Sequence, residues 1–326
     1  MAANRKKLML PEAMAEIGWD VARKREDIEL VRYNDATPVA EFRKMLATAD
    51  GIALWARPFP AAETEAAPIL QVVSRIGVGY DSVDVPALTK RKIPLLIGGT
   101  ANSVTVAEHA IYFMMHLAKQ GVAMNAFVRE GRWGEKMSAP VLDLFGKTVL
   151  IIGFGKIGTR VAARCLAMEM TVLVYDPYLP EDVVRARGGI PAPDLDAALG
   201  QADFVTIHCP KTPETIGMIN AARLAHMKPT AFLVNTARGG IIDEPALNAA
   251  LTGGKLAGAG LDVFEREPTP VENPLLRAPN TIFAPHIAGV STESLDRMAV
   301  TAVRNVFSVF EGKPERENVV NKEVLD

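Results

Sequence analysis

The chain has little cysteine, no excess of basic charge and no long apolar run, and each absence excludes a class of protein. Cys165 and Cys209 are the only cysteines in 326 residues, which leaves no disulfide framework and no paired-cysteine metal motif. The formal net charge is −2 at pH 7, whereas nucleic acids and anionic membranes attract basic surfaces. We therefore expect no bound metal and neither nucleic acid nor membrane as a partner.

The apolar runs are also too short for secretion or for a membrane span. Near the N-terminus, basic residues 5–7 precede a short apolar run that Pro11 and Glu12 end, well before the length of a signal-peptide core. No later stretch reaches the roughly 18 apolar residues of a membrane-spanning helix. Together with the scarcity of cysteine, these features predict a cytoplasmic protein.

What the chain does have is apolar material in regular alternation. Hydrophobic residues make up 49% and charged residues 23%, the balance of a globular protein. A length of 326 residues predicts two domains, because domains of about 100–200 residues are typical. Short apolar runs alternate with amphipathic stretches in both halves, which predicts parallel sheets covered by helices. Strands are predicted at residues 7–10, 28–31, 51–55, 71–76, 93–97, 148–152, 171–175, 204–207, 232–235, 256–261 and 282–284. Helices are predicted at residues 39–48, 83–90, 103–119, 157–168, 195–200, 221–226, 245–251 and 292–310.

A glycine-rich turn stands between the predicted strand 148–152 and the helix that follows it. Gly153, Gly155 and Gly158 have the spacing Gly-x-Gly-x-x-Gly. This spacing is weak alone, but a strand before it and a helix after it are the context that a dinucleotide site needs. Gly153 would allow the tight turn, Gly155 the approach of a pyrophosphate, and Gly158 close packing of the helix on the strand.

Neighbouring residues indicate which dinucleotide binds. The N-terminus of a helix favours phosphate, so Ile157 would border the pyrophosphate and Lys156 would add a point charge. Asp176 ends the next predicted strand, eighteen residues after Gly158. A carboxylate there accepts hydrogen bonds from the ribose and repels a 2′-phosphate. The sequence therefore predicts NAD rather than NADP as the cofactor.

Three polar residues follow later predicted strands. Arg238, Glu267 and His286 each lie within a few residues of a strand end. In an open parallel sheet, ligands bind beyond the carboxyl ends of the strands, so we expect the three side chains at one site. Reduction by a nicotinamide requires groups that polarise and protonate a carbonyl, and these residue types provide both functions.

In their order along the chain, these segments resemble the D-isomer-specific 2-hydroxyacid dehydrogenase family. The resemblance runs from about Arg75 to His286, whereas the first seventy residues match only in their alternation of predicted strands and helices. The matching motifs are residues 75–81, 102–108 and 131–133, the glycine turn, and the segments around Arg238, Glu267 and His286.

The resemblance implies two doubly wound α/β domains with parallel sheets, a Rossmann-type cofactor domain being inserted in a flavodoxin-like substrate domain. We expect the last helix to return to the first unit. Residues 1–101 and 293–326 are therefore assigned to a discontinuous substrate-binding domain, and residues 102–292 to the NAD-binding domain.

The same resemblance implies a role for each polar residue. His286 would be the general acid in reduction and the general base in oxidation. Glu267 would hold the imidazole and favour its charged form; Glu265 is the nearby alternative, but the adjacent Pro268 favours Glu267. Arg238 would bridge the carboxylate and the carbonyl oxygen of the substrate and stabilise the charge that grows on that oxygen.

Further residues are assigned to the substrate and the cofactor. The backbone amides of Gly77, Val78 and Gly79 would bind the other side of the substrate carboxylate, and Arg57 would point a cation at a distal phosphate or carboxylate. Trp133 is expected to be a packing aromatic. The residues expected to border the cofactor, besides the glycine turn and Asp176, are His208, Cys209, Thr215, Thr236, Ala237, Asp262 and Gly289.

The resemblance leaves the substrate and two rival functions open. We expect an NAD-dependent dehydrogenase of a short D-2-hydroxy acid, with 3-phosphoglycerate, glyoxylate and hydroxypyruvate as candidate substrates or products. One alternative is an NAD-dependent dimeric binding protein like the C-terminal-binding corepressors, which keep the three polar residues, and the other is an NAD-sensing protein without turnover. A homodimer is expected, with the helix 103–119 near its interface. Because the chain stops at Asp326, no regulatory domain and no feedback control by serine are expected.

Overall fold

The computed structural model describes residues 5–138 and 140–326, and the chain divides into two compact units. Unit 1 comprises Met1–Asn102 and Val290–Asp326, and unit 2 comprises Ser103–Gly289. Residues 1–4 and 139, which fall within the assigned domains, lie outside the described residues. Each unit contains one parallel sheet with two buried apolar clusters. The α/β class expected from the alternating pattern is therefore confirmed.

Unit 1 has a five-stranded sheet with the order β2-β1-β3-β4-β5. This is the flavodoxin-like order of doubly wound sheets. Its strands are β1 Lys6–Pro11, β2 Ile28–Tyr33, β3 Gly51–Leu54, β4 Val72–Arg75 and β5 Leu95–Leu96. The first four helices are α1 Glu16–Arg23, α2 Val39–Leu46, α3 Ala61–Glu65 and α4 Val85–Lys90.

Unit 2 has a seven-stranded sheet. Its strands are β6 Thr148–Ile152, β7 Thr171–Tyr175, β8 Ile190–Pro191, β9 Phe204–Ile207, β10 Phe232–Asn235, β11 Gly258–Leu261 and β12 Thr281–Phe283. The sheet order is β12-β11-β10-β9-β6-β7-β8. With β6 counted as the first strand, this is the Rossmann order with one extra strand, and the order reverses between β6 and β9. Its helices are α5 Ser103–Lys119, α6 Gly121–Arg129, α7 Gly158–Ala167, α8 Glu181–Arg185, α9 Leu195–Gln201, α10 Ala221–His226 and α11 Glu244–Thr252.

The last helix, α12 (Thr292–Phe310), belongs to unit 1. The side-chain oxygen of Ser291 accepts a hydrogen bond from Ser294 N and caps the first turn. One face of α12 is buried in the same apolar cluster as β1 and α1. Unit 2 is thus an insertion within unit 1, which is the arrangement that the family resemblance implied.

Several elements were missed or mispredicted for physical reasons. α1 was missed because a glycine within a helix weakens the helical pattern of the sequence. Gly18 is required there, since a Cβ would lie 2.8 Å from Ala299 Cβ. α6 begins at Gly121, and the glycine hides the start of the helix. The short helices α3 and α8 and the two-residue strand β8 offer too few residues for periodicity to be visible. Trp133 is 67% exposed, so the prediction that it packs was wrong within this chain.

Within residues 5–138 and 140–326, no helix is both long enough and apolar enough to cross a membrane. The same residues include no group of three or more histidine, cysteine, aspartate or glutamate side chains placed to hold a metal ion.

Candidate active site

The loop that carries Arg238 is folded by a buried asparagine. Asn235, the last residue of β10, is 2% exposed. Its Oδ1 accepts from Ala237 N at 3.0 Å, and its Nδ2 donates to Arg238 O at 2.9 Å. Asparagine side chains commonly form such local turns with the backbone that follows. The turn holds Arg238 immediately beyond the carboxyl end of β10, where Arg238 Nη1 also donates to Ala237 O at 2.7 Å.

Glu267 and His286 form a directly bonded pair. His286 Nδ1 lies 2.6 Å from Glu267 Oε2. An ionised carboxylate can only accept, so Nδ1 is the donor and Nε2 is left for a second partner. The histidine side chain is 49% exposed, so it remains accessible to a ligand. Glu267 Oε1 accepts from Phe264 N at 2.9 Å, which fixes the carboxylate from its other side.

His286 has a backbone conformation that is uncommon outside glycine, with φ at 53°. Its N–H donates to Asp262 O at 2.7 Å. The next two amides, Ile287 N and Ala288 N, donate to Asp262 Oδ1 and Oδ2 at 2.7 and 2.8 Å. Asp262 therefore fixes the loop that presents His286 and leads on to Gly289.

The glycine turn after β6 is closely packed at two positions and open at a third. Gly153 has φ at 91°, and a Cβ there would lie 2.6 Å from Cys209 N. A Cβ at Gly158 would lie 2.1 Å from Gly153 O, so α7 could not pack on this turn with a side chain at that position. A Cβ at Gly155 would meet nothing within 4 Å. Gly155, Lys156 and Ile157 are exposed or half-buried, which leaves the backbone open to a pyrophosphate.

Asp176 lies immediately after β7 and is bonded to the glycine turn. Its Oδ2 accepts from Phe154 N at 2.8 Å, and its Oδ1 accepts from Tyr178 N at 3.0 Å. A carboxylate oxygen has two lone pairs, so each can accept one more hydrogen bond. The half-buried carboxylate can therefore bind ribose hydroxyls while it anchors the turn.

The segment after β9 presents a shielded histidine and a protonated thiol. His208 Nε2 lies 2.9 Å from Thr206 Oγ1, and His208 Nδ1 is buried without a hydrogen-bond partner among the described residues. Burial lowers the pKa of His208 to about 3, so the ring is neutral at pH 7. Burial also raises the pKa of the Cys209 thiol to about 11, which disfavours the thiolate that a nucleophile requires.

Other predicted cofactor residues fall at the same edge of the sheet. Thr236 is 6% exposed, and its Oγ1 has no hydrogen-bond partner in the described part of the chain. Buried hydroxyls are normally hydrogen-bonded, so this oxygen suits a ligand group. Ala237 follows in the turn of Asn235, whereas the Thr215 hydroxyl donates to Pro210 O at 2.7 Å within its own loop. Two unpartnered polar atoms, His208 Nδ1 and Thr236 Oγ1, therefore favour a bound cofactor here.

In unit 1, the loop of Gly77, Val78 and Gly79 follows β4. Gly77 has φ at 139°, and its carbonyl accepts from Gly98 N at 2.6 Å. Arg75 Nε donates to Gly79 O at 2.8 Å. These contacts fix the loop and leave Val78 and Gly79 half-buried, as the predicted contact with a substrate carboxylate requires.

Arg57 has a structural role within unit 1. Its side chain is buried, and Nη1 donates to Asp35 O at 2.8 Å and to Thr37 O at 2.7 Å. The guanidinium also lies 4.0 Å from the centre of the Phe42 ring. The predicted contact of Arg57 with a distal substrate group stays a prediction, and these contacts do not support it.

The sequence interpretation missed two residues that shape the site, Asn235 and Gly239. The position of Asn235, two residues before Ala237 at a strand end, is a recognisable signal of an asparagine turn. Gly239 gives no such signal. A Cβ at Gly239 would lie 1.7 Å from Phe264 O, so the Arg238 loop lies directly against the loop of Glu267.

Three features of unit 2 are those of a dinucleotide-dependent oxidoreductase. They are the glycine turn at the end of a parallel strand, the acidic residue at the ribose position and the bonded histidine-carboxylate pair. Residues 111–288 match the model of the D-isomer specific 2-hydroxyacid dehydrogenase NAD-binding domain. The chain belongs to the D-isomer specific 2-hydroxyacid dehydrogenase family, and unit 2 contains its NAD-binding domain.

Relatives of known activity agree with this assignment. The chain is 40% identical over 277 residues to a glyoxylate reductase of Korarchaeum cryptofilum, a match that covers 84% of this chain and 83% of the relative. It is 40% identical over 258 residues to a D-3-phosphoglycerate dehydrogenase of Archaeoglobus fulgidus, covering 79% of this chain but only 48% of that protein. It therefore spans about half the length of that relative. The crystal structure of a D-lactate dehydrogenase from Aquifex aeolicus with NAD and lactic acid has a TM-score of 0.85 and 28% identity, covering 96% and 99% of the two chains. None of these relatives supports the corepressor alternative.

Proposed function

We propose that this protein catalyses the reversible reduction of a short 2-oxo acid to the D-2-hydroxy acid with NADH. The observation that carries the proposal is the 2.6 Å contact between His286 Nδ1 and Glu267 Oε2, which leaves Nε2 for a substrate oxygen. The half-buried Arg238, held at the end of β10, adds the cation that a 2-oxo acid requires. Membership of a dehydrogenase family supports the same reaction.

When NAD is bound at the glycine turn and Asp176, its nicotinamide would supply or accept the hydride. Arg238 binds the substrate carboxylate and the carbonyl oxygen through its planar fork. As negative charge grows on that oxygen, the guanidinium stabilises it and the protonated His286 donates a proton from Nε2. Glu267 stabilises the imidazolium before the transfer and keeps the ring oriented afterwards. In the reverse direction, neutral His286 accepts the hydroxyl proton.

The cofactor site favours NAD over NADP. The residues proposed to bind NAD are the glycine turn with Lys156 and Ile157, Asp176, His208, Cys209, Thr215, Thr236, Ala237 and Gly289. Asp262 is proposed to line the nicotinamide half without a direct bond to the cofactor, because both of its carboxylate oxygens accept backbone hydrogen bonds. Asp176 supports the preference, because a carboxylate beside the ribose repels a 2′-phosphate. The open space at Gly155 and the unpartnered Thr236 Oγ1 support binding of the pyrophosphate and of a polar cofactor group.

The candidate substrates are glyoxylate, hydroxypyruvate and 3-phosphohydroxypyruvate. The names of two relatives reported above support glyoxylate and 3-phosphohydroxypyruvate, since one is a glyoxylate reductase and the other a D-3-phosphoglycerate dehydrogenase. The experiment is a panel of these acids, with pyruvate and longer 2-oxo acids, in which NADH absorbance is followed. We expect turnover on at least one short 2-oxo acid. No turnover on any member of the panel, with intact NADH binding, would favour the corepressor-like alternative.

The same assay tests the role of the histidine. His286→Ala removes the proton donor, and we expect kcat to fall by a factor of about 100 to 10,000 while the NADH dissociation constant changes little. His226→Ala is the matched control, because His226 is exposed on α10, away from the site residues. Equal rates for His286→Ala and the wild type would remove His286 from the mechanism.

We also propose that the protein is a cytoplasmic homodimer. Both cysteines are free, which suits a reducing compartment. Exposed large apolar side chains recur in one stretch after α5, and clusters of this kind mark interaction surfaces. They are Val122, Val128, Trp133, Met137, Val141 and Phe145.

A further inference from the structure

The loops that carry the three polar site residues meet at residues 262–264, directly after β11. Asp262 is 1% exposed, and both of its carboxylate oxygens accept backbone hydrogen bonds, from Ile287 N at 2.7 Å and Ala288 N at 2.8 Å. Its backbone carbonyl accepts from His286 N at 2.7 Å. Asp262 thus makes three hydrogen bonds to the segment that presents His286.

Phe264 makes the corresponding contacts with the other two loops. Its N–H donates to Glu267 Oε1 at 2.9 Å. Its carbonyl faces Gly239, where a Cβ would lie 1.7 Å from the Phe264 oxygen and 2.0 Å from the Phe264 carbonyl carbon. The chain next to Arg238 therefore approaches Phe264 as closely as a backbone without a side chain allows.

We propose that residues 262–264 are the common support of the active site, with Asp262 a positioning residue for His286 and Gly239 setting the spacing between the Arg238 and Glu267 loops. The inference rests on the proposed function for its catalytic consequence. It extends the expected role of Asp262, because both oxygens of this buried carboxylate are bonded to the histidine loop.

A carboxylate is required at position 262 for a simple reason. Two N–H groups point at it, and an ionised carboxylate offers acceptors to both, whereas an amide offers one acceptor and turns its NH₂ group toward the other donor. Two donors would then face each other in a buried place, which is costly unless the loop moves. Asp262→Asn should therefore release one of the two amides and loosen the left-handed turn at His286.

The first experiment compares Asp262→Asn with Asp194→Asn in the full-length protein. Asp194 is the control, because its carboxylate also accepts from two backbone amides, Asp196 N and Ala197 N, but through the single oxygen Oδ1, which an asparagine retains. For Asp262→Asn we expect kcat to fall about 100-fold, since misplacing a catalytic group by about 1 Å has such an effect. We expect the NADH dissociation constant to change less than about threefold, and hydrogen exchange to accelerate in a peptide spanning residues 284–290.

The second experiment tests the spacing set by Gly239. Gly239→Ala should push the two loops apart and lower kcat by a similar factor, while NADH binding at the glycine turn persists. Gly200→Ala is the control, because a Cβ at Gly200 would lie 3.5 Å from His226 O, an ordinary van der Waals contact. Retained NADH binding and a cooperative unfolding transition separate a displaced loop from a protein that fails to fold.

The outcomes distinguish this inference from the proposed function. If Asp262→Asn exchanges its 284–290 amides at the wild-type rate, or weakens NADH binding in proportion to its loss of kcat/KM, the positioning role is wrong. A wild-type rate for Gly239→Ala would likewise overturn the spacing role. If the wild type reduces none of the acids in the panel, the proposed function fails, while the exchange and NADH-binding measurements still decide whether Asp262 holds the histidine loop.

Discussion

His286 and His208 differ in their ability to exchange a proton because their surroundings differ. His286 has one ring nitrogen on a carboxylate and the side chain open to ligand, so it is suited to proton transfer. The ring of His208 is shielded, its Nε2 lies 2.9 Å from Thr206 Oγ1, and burial lowers its pKa to about 3. The same type of side chain is therefore suited to proton transfer after β12, whereas after β9 burial keeps it neutral.

The lowered pKa of His208 predicts that the free energy of unfolding decreases as the pH is lowered below about 6.5. An unfolded histidine has a pKa near 6.5, so between about pH 6.5 and 3 the unfolded chain binds a proton at His208 that the native protein does not. Unfolding is then favoured by about 1.4 kcal/mol for each pH unit below 6.5. When the pH is lowered from 7 to 5, the free energy of unfolding of His208→Gln should decrease by about 2 kcal/mol less than that of the wild type.

Urea unfolding at the two pH values measures this difference. His226→Gln is the control, because His226 is exposed and its replacement should leave the pH dependence unchanged. An identical pH dependence for His208→Gln and the wild type would mean that His208 is not held neutral.

We expect replacement of Asp176 to change both the preference between NADH and NADPH and the stability of the glycine turn. Asp176→Ala removes both the negative charge and the acceptor of Phe154 N, so we expect the preference for NADH over NADPH to narrow by about tenfold, or ~1.4 kcal/mol. Asp176→Asn keeps an acceptor but not the charge. It should narrow the preference while retaining more of the NADH affinity, as fluorescence titration with both cofactors would measure. If the wild type already prefers NADPH, the ribose argument is wrong.

At the scale of elements, the glycine turn decides how α7 packs on β6. Gly158 lies so close to Gly153 that no side chain fits between them. Gly158→Ala should therefore displace the start of α7, lower stability by about 1–3 kcal/mol and weaken NADH binding by at least about tenfold. Urea unfolding and NADH fluorescence measure the two effects, again with Gly200→Ala as the control. Unchanged NADH affinity in Gly158→Ala would contradict the assigned role of the turn.

The sheet of unit 2 was the most predictable set of elements. β6, β7, β9 and β10 begin and end at the residues expected from the sequence, because strands buried on both faces form continuous apolar runs. The predicted strand at residues 93–97 is reduced to Leu95–Leu96. Pro94 has no N–H for the sheet, and Ile97 N instead donates to Asn318 O at 2.9 Å. That partner lies far along the chain, so no local pattern could reveal it.

At the scale of the whole molecule, the exposed apolar side chains of residues 122–145 predict association. We expect the wild type to elute with twice the chain mass of 35.1 kDa in size-exclusion chromatography with light scattering. Trp133→Ser combined with Phe145→Ser should shift the population toward the monomer, because both side chains are 67% exposed in a single chain. Val271→Ser, at a residue 77% exposed elsewhere, is the control. A monomeric wild type would exclude the proposed homodimer.

The sequence by itself determined the fold class, the glycine turn with Asp176, and the candidate residues Arg238, Glu267 and His286. Local pattern was sufficient for the strands and the glycine turn, because periodicity and motif spacing involve residues close together in the chain, and the three polar residues were recognised from their strand ends and the family resemblance. Only the tertiary structure showed that Asp262 is bonded to the histidine loop, that Gly239 lies against Phe264 and that Arg57 packs within unit 1. These contacts join residues 20 or more positions apart, and burial at such a distance is a property of packed strand ends that sequence spacing does not record.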